Sequence, residues 1–250
     1  MRLRLLLPVA LFLLSWEGVS RSGFMNAALL PPPSKALVAL VEMARSGELF
    51  TDMRASYGRL LAGWVLGTVA GIVIGLVTGR LAWAADFFAP IIQMFRPLPP
   101  VAMIPLIIVW FGIGETAKIF SIAFAVFFPV WLNTHAGAVQ IPQKLLWCAS
   151  TLTRSKLKTF FQIILPAALP FISAGVRIGI SSAFVMVFVS ELTGASEGIG
   201  YQINTGYLSY RIDRMMAALA VLAASGALAD FLFVKGMVRF CPWLNPAQSK

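Results

Sequence analysis

The chain has 250 residues, of which 59% are hydrophobic and only 12% charged, about half the charged quarter of a soluble domain. A water-soluble fold of this length cannot hide that much apolar surface, which excludes a disordered chain, a disulfide-stapled secreted domain and an ordinary cytosolic enzyme, and points to an integral membrane protein. The net charge of +10 comes without a basic run, which fits loops beside anionic headgroups and not nucleic-acid binding.

A spanning helix needs roughly 20 mostly apolar residues. The first candidate, Leu3 to Val19, follows Arg2 and Arg4. The same pattern fits a cleaved signal peptide; without a clean small-residue cleavage site, a retained helix is favoured. Pro31-Pro32-Pro33-Ser34 then introduces a short amphipathic helix, Lys35 to Ser46, that Gly47 ends. Leu60 to Thr78 is the second span. Phe87 to Trp110 is a third, broken by prolines, and Lys118 to Leu132 extends into a fourth. Phe171 to Leu192 and Met215 to Val234 complete an expected all-α polytopic protein of about six transmembrane helices. This divides the chain into a first transmembrane helix at 1–20, an extracytoplasmic segment with the amphipathic helix at 21–55, a transport core at 56–240, and a cytoplasmic tail at 241–250.

The second span carries Gly63, Gly67, Gly71, Gly75 and Gly79, four residues apart and therefore on one ridge of the helix. Each glycine costs about 1 kcal/mol against alanine in a helix. Close approach of a neighbouring helix, within or between subunits, is the return expected in lipid. In the third span, Arg96-Pro97-Leu98-Pro99-Pro100 removes backbone donors at membrane depth. Such a break is tolerated where protein or a water-filled cavity covers it. Arg96 then either faces a partner or pore, or marks the cytoplasmic boundary with the prolines shaping a turn. Arg177, one to two turns into the fifth span, is a further pathway candidate. Glu191, near the far end of that span, and Glu115, after Gly112-Ile113-Gly114, read better as boundary residues than as substrate contacts.

The loop 141–170 is basic and free of acids, and it places itself and both termini on the cytoplasmic side. It is expected to form a short helix over Ala149 to Lys158, a turn, and a second helix ending at Pro166 and Pro170. Ala149, Ser150, Thr151, Leu152, Thr153, Arg154, Ser155, Lys156 and Leu157 mix apolar and basic side chains. That suits docking on a soluble protein, or lying on the inner leaflet. Cys148 and Cys241 lack a CxxC pattern and His135 is a lone histidine, so no metal site is indicated. No phosphate-binding G-x-x-x-x-G-K-[ST] loop and no catalytic motif is present, so neither enzyme activity nor a cofactor is expected.

These residues together resemble the permease subunit of bacterial ABC importers, in the nitrate/sulfonate/taurine/bicarbonate branch. That family's cytoplasmic loop reads Glu-Ala-Ala, three residues, Gly, nine residues, Ile-x-Leu-Pro. Registered on Pro166, it matches at Ala149, Ile163, Leu165 and Pro166. Arg96-Pro97-Leu98-Pro99-Pro100, Trp110 to Glu115, Leu30 to Ser34, and Glu191-Leu192 with Gly198 to Tyr201 are also similar to it. Trp147, Cys148 and Thr153 depart from the motif, where it has Glu, Ala and Gly. The resemblance implies a type I ABC importer permease fold in a bacterial inner membrane. It implies two ABC ATPase subunits docked on the 141–170 loops, and a second permease copy, a homodimer in preference to a heterodimer. It also implies an extracytoplasmic substrate-binding protein. A secondary carrier or membrane-embedded enzyme is the alternative, but it would want acidic or histidine relays within spans that the chain lacks.

Overall fold

The computed structural model describes residues 3–23 and 29–241, apart from the side chains at 3–6 and 240. The expected tail at 241–250 therefore lies, beyond Cys241, outside the described residues. Its helices are α1 (Leu3–Arg21), α2 (Pro33–Ser46), α3 (Glu48–Arg80), α4 (Ala82–Phe95), α5 (Ile104–Phe111) and α6 (Glu115–Val139). They continue as α7 (Gln143–Leu152), α8 (Lys156–Thr159), α9 (Leu165–Leu192), α10 (Ile199–Leu208) and α11 (Ile212–Phe240). No strand occurs among the described residues. Four helical stretches are long and apolar enough to cross a membrane: α3, α6, Lys156–Leu192, and Ile212–Arg239. The bent pair α4 and Pro100–Phe111 makes a fifth if it counts as one span. The remaining expected span, Leu3 to Val19, is the 19-residue helix α1.

The described residues group into two compact units, one from Met1–Tyr57 with Glu191–Ser225, the other from Gly58–Ser190 with Gly226–Lys250. In the first unit, Pro33 occupies the first turn of α2, where its missing N–H is no loss, and Gly47 at φ 83 closes the helix in the left-handed conformation. Ala39 and Met43 of α2 are buried with Leu49 and Ala217. Helix α3 starts well before Leu60 and runs unbroken past residues 55 and 56. Nothing between Glu48 and Arg59 breaks a helix, and Asp52, which falls in the segment expected outside the membrane, is buried, as are Ser56 and Arg59.

In the second unit, the glycine row of α3 lies against α6. A Cβ on Gly63 would stand 2.6 Å from Ile122 Cβ, one on Gly67 2.5 Å from the Ala123 carbonyl oxygen, and one on Gly71 2.8 Å from Val130 Cβ. At Gly75 and Gly79 it would meet Thr134 and Ala138 at 2.7 and 2.5 Å. Real Cβ atoms do not approach so closely, so two backbones meet along four turns of helix through the absent side chains. Thr78, on the same stretch of α3, accepts from Trp131 Nε1 at 3.2 Å and lies 3.0 Å from His135 Nδ1, both on α6. Helix α9 uses the same device against α6, with a Cβ on Gly175 falling 2.8 Å from Asn133 Cβ.

The proline-rich break behaves as backbone chemistry requires. Helix α4 ends at Phe95, Pro100 opens a 3₁₀ turn to Met103, and α5 follows at an angle of 88°. Pro105 sits in the first turn of α5, and Gly112 at φ 76 ends it.

Candidate functional site

The segment 141–170 differs from the sequence expectation in its internal breaks. Ala149 to Leu152 form the end of α7, which begins at Gln143, and no helix covers Ala149 to Lys158. The chain turns extended at Thr153, with φ −153 and ψ 142. A β-branched residue favours that conformation. Thr153 Oγ1 accepts from Ser155 N–H at 3.1 Å, and Ser155 caps α8 by accepting from Lys158 N–H at 3.4 Å. The second helix also does not end at the prolines. A single π turn, Phe160–Ile164, passes directly into α9, with Pro166 in its first turn and Pro170 inside it. The widened turn precedes Pro166, whose ring would otherwise press on the carbonyl four residues back.

This arrangement leaves Ala149 buried and presents apolar side chains outward. Leu152 is 81% exposed, and Trp147, Leu157 and Phe161 are exposed as well. Ser150, Thr151, Arg154 and Lys156 are exposed, Lys158 with them, while Ser155, Leu165 and Pro166 are half-buried. The segment thus exposes apolar and basic side chains together.

The other singled-out residues fall in separate places. Arg96 ends α4, its backbone N–H donating to Ile92 O at 2.9 Å, and its side chain is exposed, as are Pro97 and Pro99; Pro100 is half-buried. Arg177 lies well inside α9, because that helix begins at Leu165 and not at Phe171. It donates through Nε and Nη2 to both carboxylate oxygens of Asp230 on α11, at 2.6 and 2.8 Å. Glu191 is no snorkelling boundary residue: it is 1% exposed. Its carboxylate accepts from Ser56 Oγ at 2.8 Å and from Gly200 N–H at 2.8 Å. Ser56 Oγ in turn accepts from Ile199 N–H, and Asp52 accepts from Gly198 N–H and Gln202 Nε2. Three side chains thus receive the N-terminal amides of α10, where acids are favoured by the helix dipole. Glu115 is a half-exposed carboxylate held by the buried Arg59, through Nε at 2.5 Å and Nη2 at 2.9 Å, and by the buried Lys118 at 3.0 Å. Asp52, Ser56 and Arg59 escaped the sequence reading. The one signal for them was their spacing of four and three residues, which sets polar groups on one face of a helix. Among the described residues no group of three metal-ligating side chains gathers.

The family model for the binding-protein-dependent transport system inner membrane component matches residues 67–235. The chain belongs to that family. It is similar to the putative aliphatic sulfonates transport permease protein SsuC of Bacillus subtilis (strain 168), at 35% identity over 96% of this chain and 87% of that one. It is also similar to the taurine transport system permease protein TauC of Escherichia coli (strain K12), at 31% identity over 96% and 89%. The bicarbonate transport system permease protein CmpB of a Synechocystis strain is 32% identical over 88% and 81%. Among solved structures, the inward-facing MetNI methionine ABC transporter superposes with a TM-score of 0.59 at 21% identity, covering 77% of this chain and 94% of that one. An amino acid ABC transporter gives 0.58 at 17% identity, over 80% and 96%. The fold is therefore that of the type I ABC importer permeases, and the chain is a multi-pass inner-membrane permease component of an ABC importer. Family membership brings ATPase and substrate-binding-protein partners with it.

Proposed function

We propose that the chain, paired with a second permease copy, forms the pathway through which an ATP-driven importer moves a small solute of the sulfonate, taurine or bicarbonate type. The observation that carries the substrate class is the set of relatives named for those solutes, 31–35% identical across most of the chain. ATP hydrolysis belongs to separate subunits that dock on the 141–170 segment, and this chain performs no bond chemistry. The exposed row Trp147, Leu152, Leu157 and Phe161 supports that docking, because apolar side chains beside Arg154, Lys156 and Lys158 gain by entering a groove whose rim is acidic. Leu165 and Pro166 follow the contact directly, so displacement of α7 and α8 passes into α9 as a rigid element. Arg96, Pro97, Pro99 and Pro100, at the bend between α4 and α5, are candidates for the pathway or a subunit interface. Both termini and residues 141–170 face the cytoplasm; residues 21–55 lie on the outer side, and lipid covers the remaining apolar faces.

Leu152→Asp tests the coupling assignment. A carboxylate in the centre of an apolar contact loses its hydration without a partner, at about 1–3 kcal/mol or more. The expected outcome is normal membrane insertion, ATPase subunits that no longer co-purify or no longer respond to the loaded binding protein, and loss of uptake. Wild-type uptake by Leu152→Asp would remove the docking assignment.

A further inference from the structure

The helix that leaves the 141–170 segment changes its hydrogen-bond register once. Lys156–Leu192 is one continuous helical stretch of 37 residues. At its start the pairing is α, with Phe160 N–H donating to Lys156 O, four residues back. Leu165 N–H instead donates to Phe160 O, five residues back. From Leu165 onward the helix is α again. The π turn Phe160–Ile164 therefore holds one residue more than an α-helix needs to cover the same arc.

Pro166 makes this the place where the register changes without loss. It has no N–H, so it donates neither to Phe161 O in the π register nor to Gln162 O in the α register. The ladder before Pro166 is uncoupled from the ladder of α9. Leu165 N–H finds an acceptor in both registers, Phe160 O as it stands and Phe161 O in an α turn, so no bond is given up there. What favours the π turn is the Pro166 ring, which in an α turn presses on the Gln162 carbonyl. Packing within the chain does not pin the register, since none of the five side chains of the turn is buried. On its other side the turn continues α8, which Ser155 caps by accepting from Lys158 N–H at 3.4 Å, so α8 turns as a closed unit.

We propose that the Phe160–Ile164 turn is a register switch in the transport cycle, π while the docked ATPase subunits are nucleotide-free and α when ATP closes them. Taking the extra residue out of the turn rotates the helix before it by about 100° about its axis and shifts it by about 1.5 Å. Lys156, Leu157 and Lys158 of α8 move with that rotation, and α7 follows beyond the extended corner at Thr153. An ATPase pair that binds the turned face more tightly supplies the free-energy difference that moves the equilibrium. Helix α9 is rigid in both states and receives the displacement as a rotation. The switch deepens the permease reading above and rests on it for its driving force; the two registers themselves follow from the backbone.

Cryo-electron microscopy of the chain with its ATPase subunits in nanodiscs, nucleotide-free and with ATP and vanadate, reads the register from the directions of the Phe160 and Phe161 side chains. The native chain should show the π turn in the first state and an unbroken α-helix in the second. Pro166→Ala supplies the missing donor and removes the ring, so its turn should be α in both states. Its ATPase subunits should still co-purify, and uptake should be largely lost. One register in both native states overturns the proposal. So does a π turn that survives in Pro166→Ala, or an all-α Pro166→Ala that takes up solute at the native rate. Should Pro166→Ala fail to assemble, the two native states decide alone. Failure of the permease reading shows separately, as a native chain that binds no ATPase subunit. Solid-state NMR of labelled phenylalanine carbonyls in lipid then still compares the native turn with that of Pro166→Ala, and identical carbonyl shifts in the two overturn the switch.

Discussion

At the residue scale, the N-terminus of α10 depends on a glycine and an acid that exclude alternatives. Gly198 has φ +132, and a Cβ there would stand 2.6 Å from the Glu191 carboxylate. Gly198→Ala therefore combines a left-handed conformation with a clash against a buried charged group. The backbone part alone costs about 1–3 kcal/mol, and thermal unfolding in detergent should detect the loss. Gly226→Ala is the control: its Cβ would meet the Phe184 ring at 3.7 to 3.9 Å, ordinary contact, and its stability should hold or rise by up to about 1 kcal/mol, the gain of removing a glycine from a helix interior. Glu191 adds a graded series in the same assay. Glu191→Ala strands Ser56 Oγ and the Gly200 amide in a buried site, at about 1–3 kcal/mol for an unsatisfied group. Glu191→Gln keeps an acceptor of the same shape and should lose less.

At the element scale, the α3–α6 pair is held by what α3 lacks. Leu at position 71 would drive into Val130 and the Trp131 backbone, which stand 2.8 and 3.0 Å from the Cβ position. Overpacking of this kind costs about 1–3 kcal/mol. Because one wall is backbone, it cannot be relieved by a rotamer change. A double-mutant cycle separates the two walls: Val130→Ala combined with Gly71→Leu should recover part of the loss, and Val130→Ala combined with the distant Gly198→Ala should be additive. Full additivity of the Gly71 pair would show that α3 does not use this row against α6. The two breaks of the 141–170 segment also belong here. Thr153 and Ser155 stop α7 and restart α8 within three residues, so the exposed cluster sits on two short helices joined by an extended corner.

For the whole molecule, orientation is the open quantity, and the exposed Cys148 measures it directly. A membrane-impermeant maleimide should not label Cys148 in intact spheroplasts and should label it after permeabilisation. Cys241 is buried and supplies little background. Labelling from outside would invert the proposed topology and move the ATPase-docking surface to the wrong side of the membrane.

The sequence by itself determined that the chain is helical and membrane-embedded, where its apolar segments run, that the third of them breaks at Pro97 to Pro100, and that five glycines share one ridge. These are local facts: hydropathy, proline's missing donor and a spacing of four are written in consecutive residues. It did not determine where α3 begins. The polar residues Asp52, Ser56 and Arg59 look like a loop until their partners are known, and those partners are distant. Glu191 lies 135 positions from Ser56, Asp230 53 from Arg177, and Glu115 56 from Arg59. A charge in an apolar helix reads alike whether it is a boundary residue, a structural tie or a binding group. Only the fold decides among them, because the free energy of a buried charge is set by which opposite charge or amide reaches it, and no periodicity along the chain records that meeting.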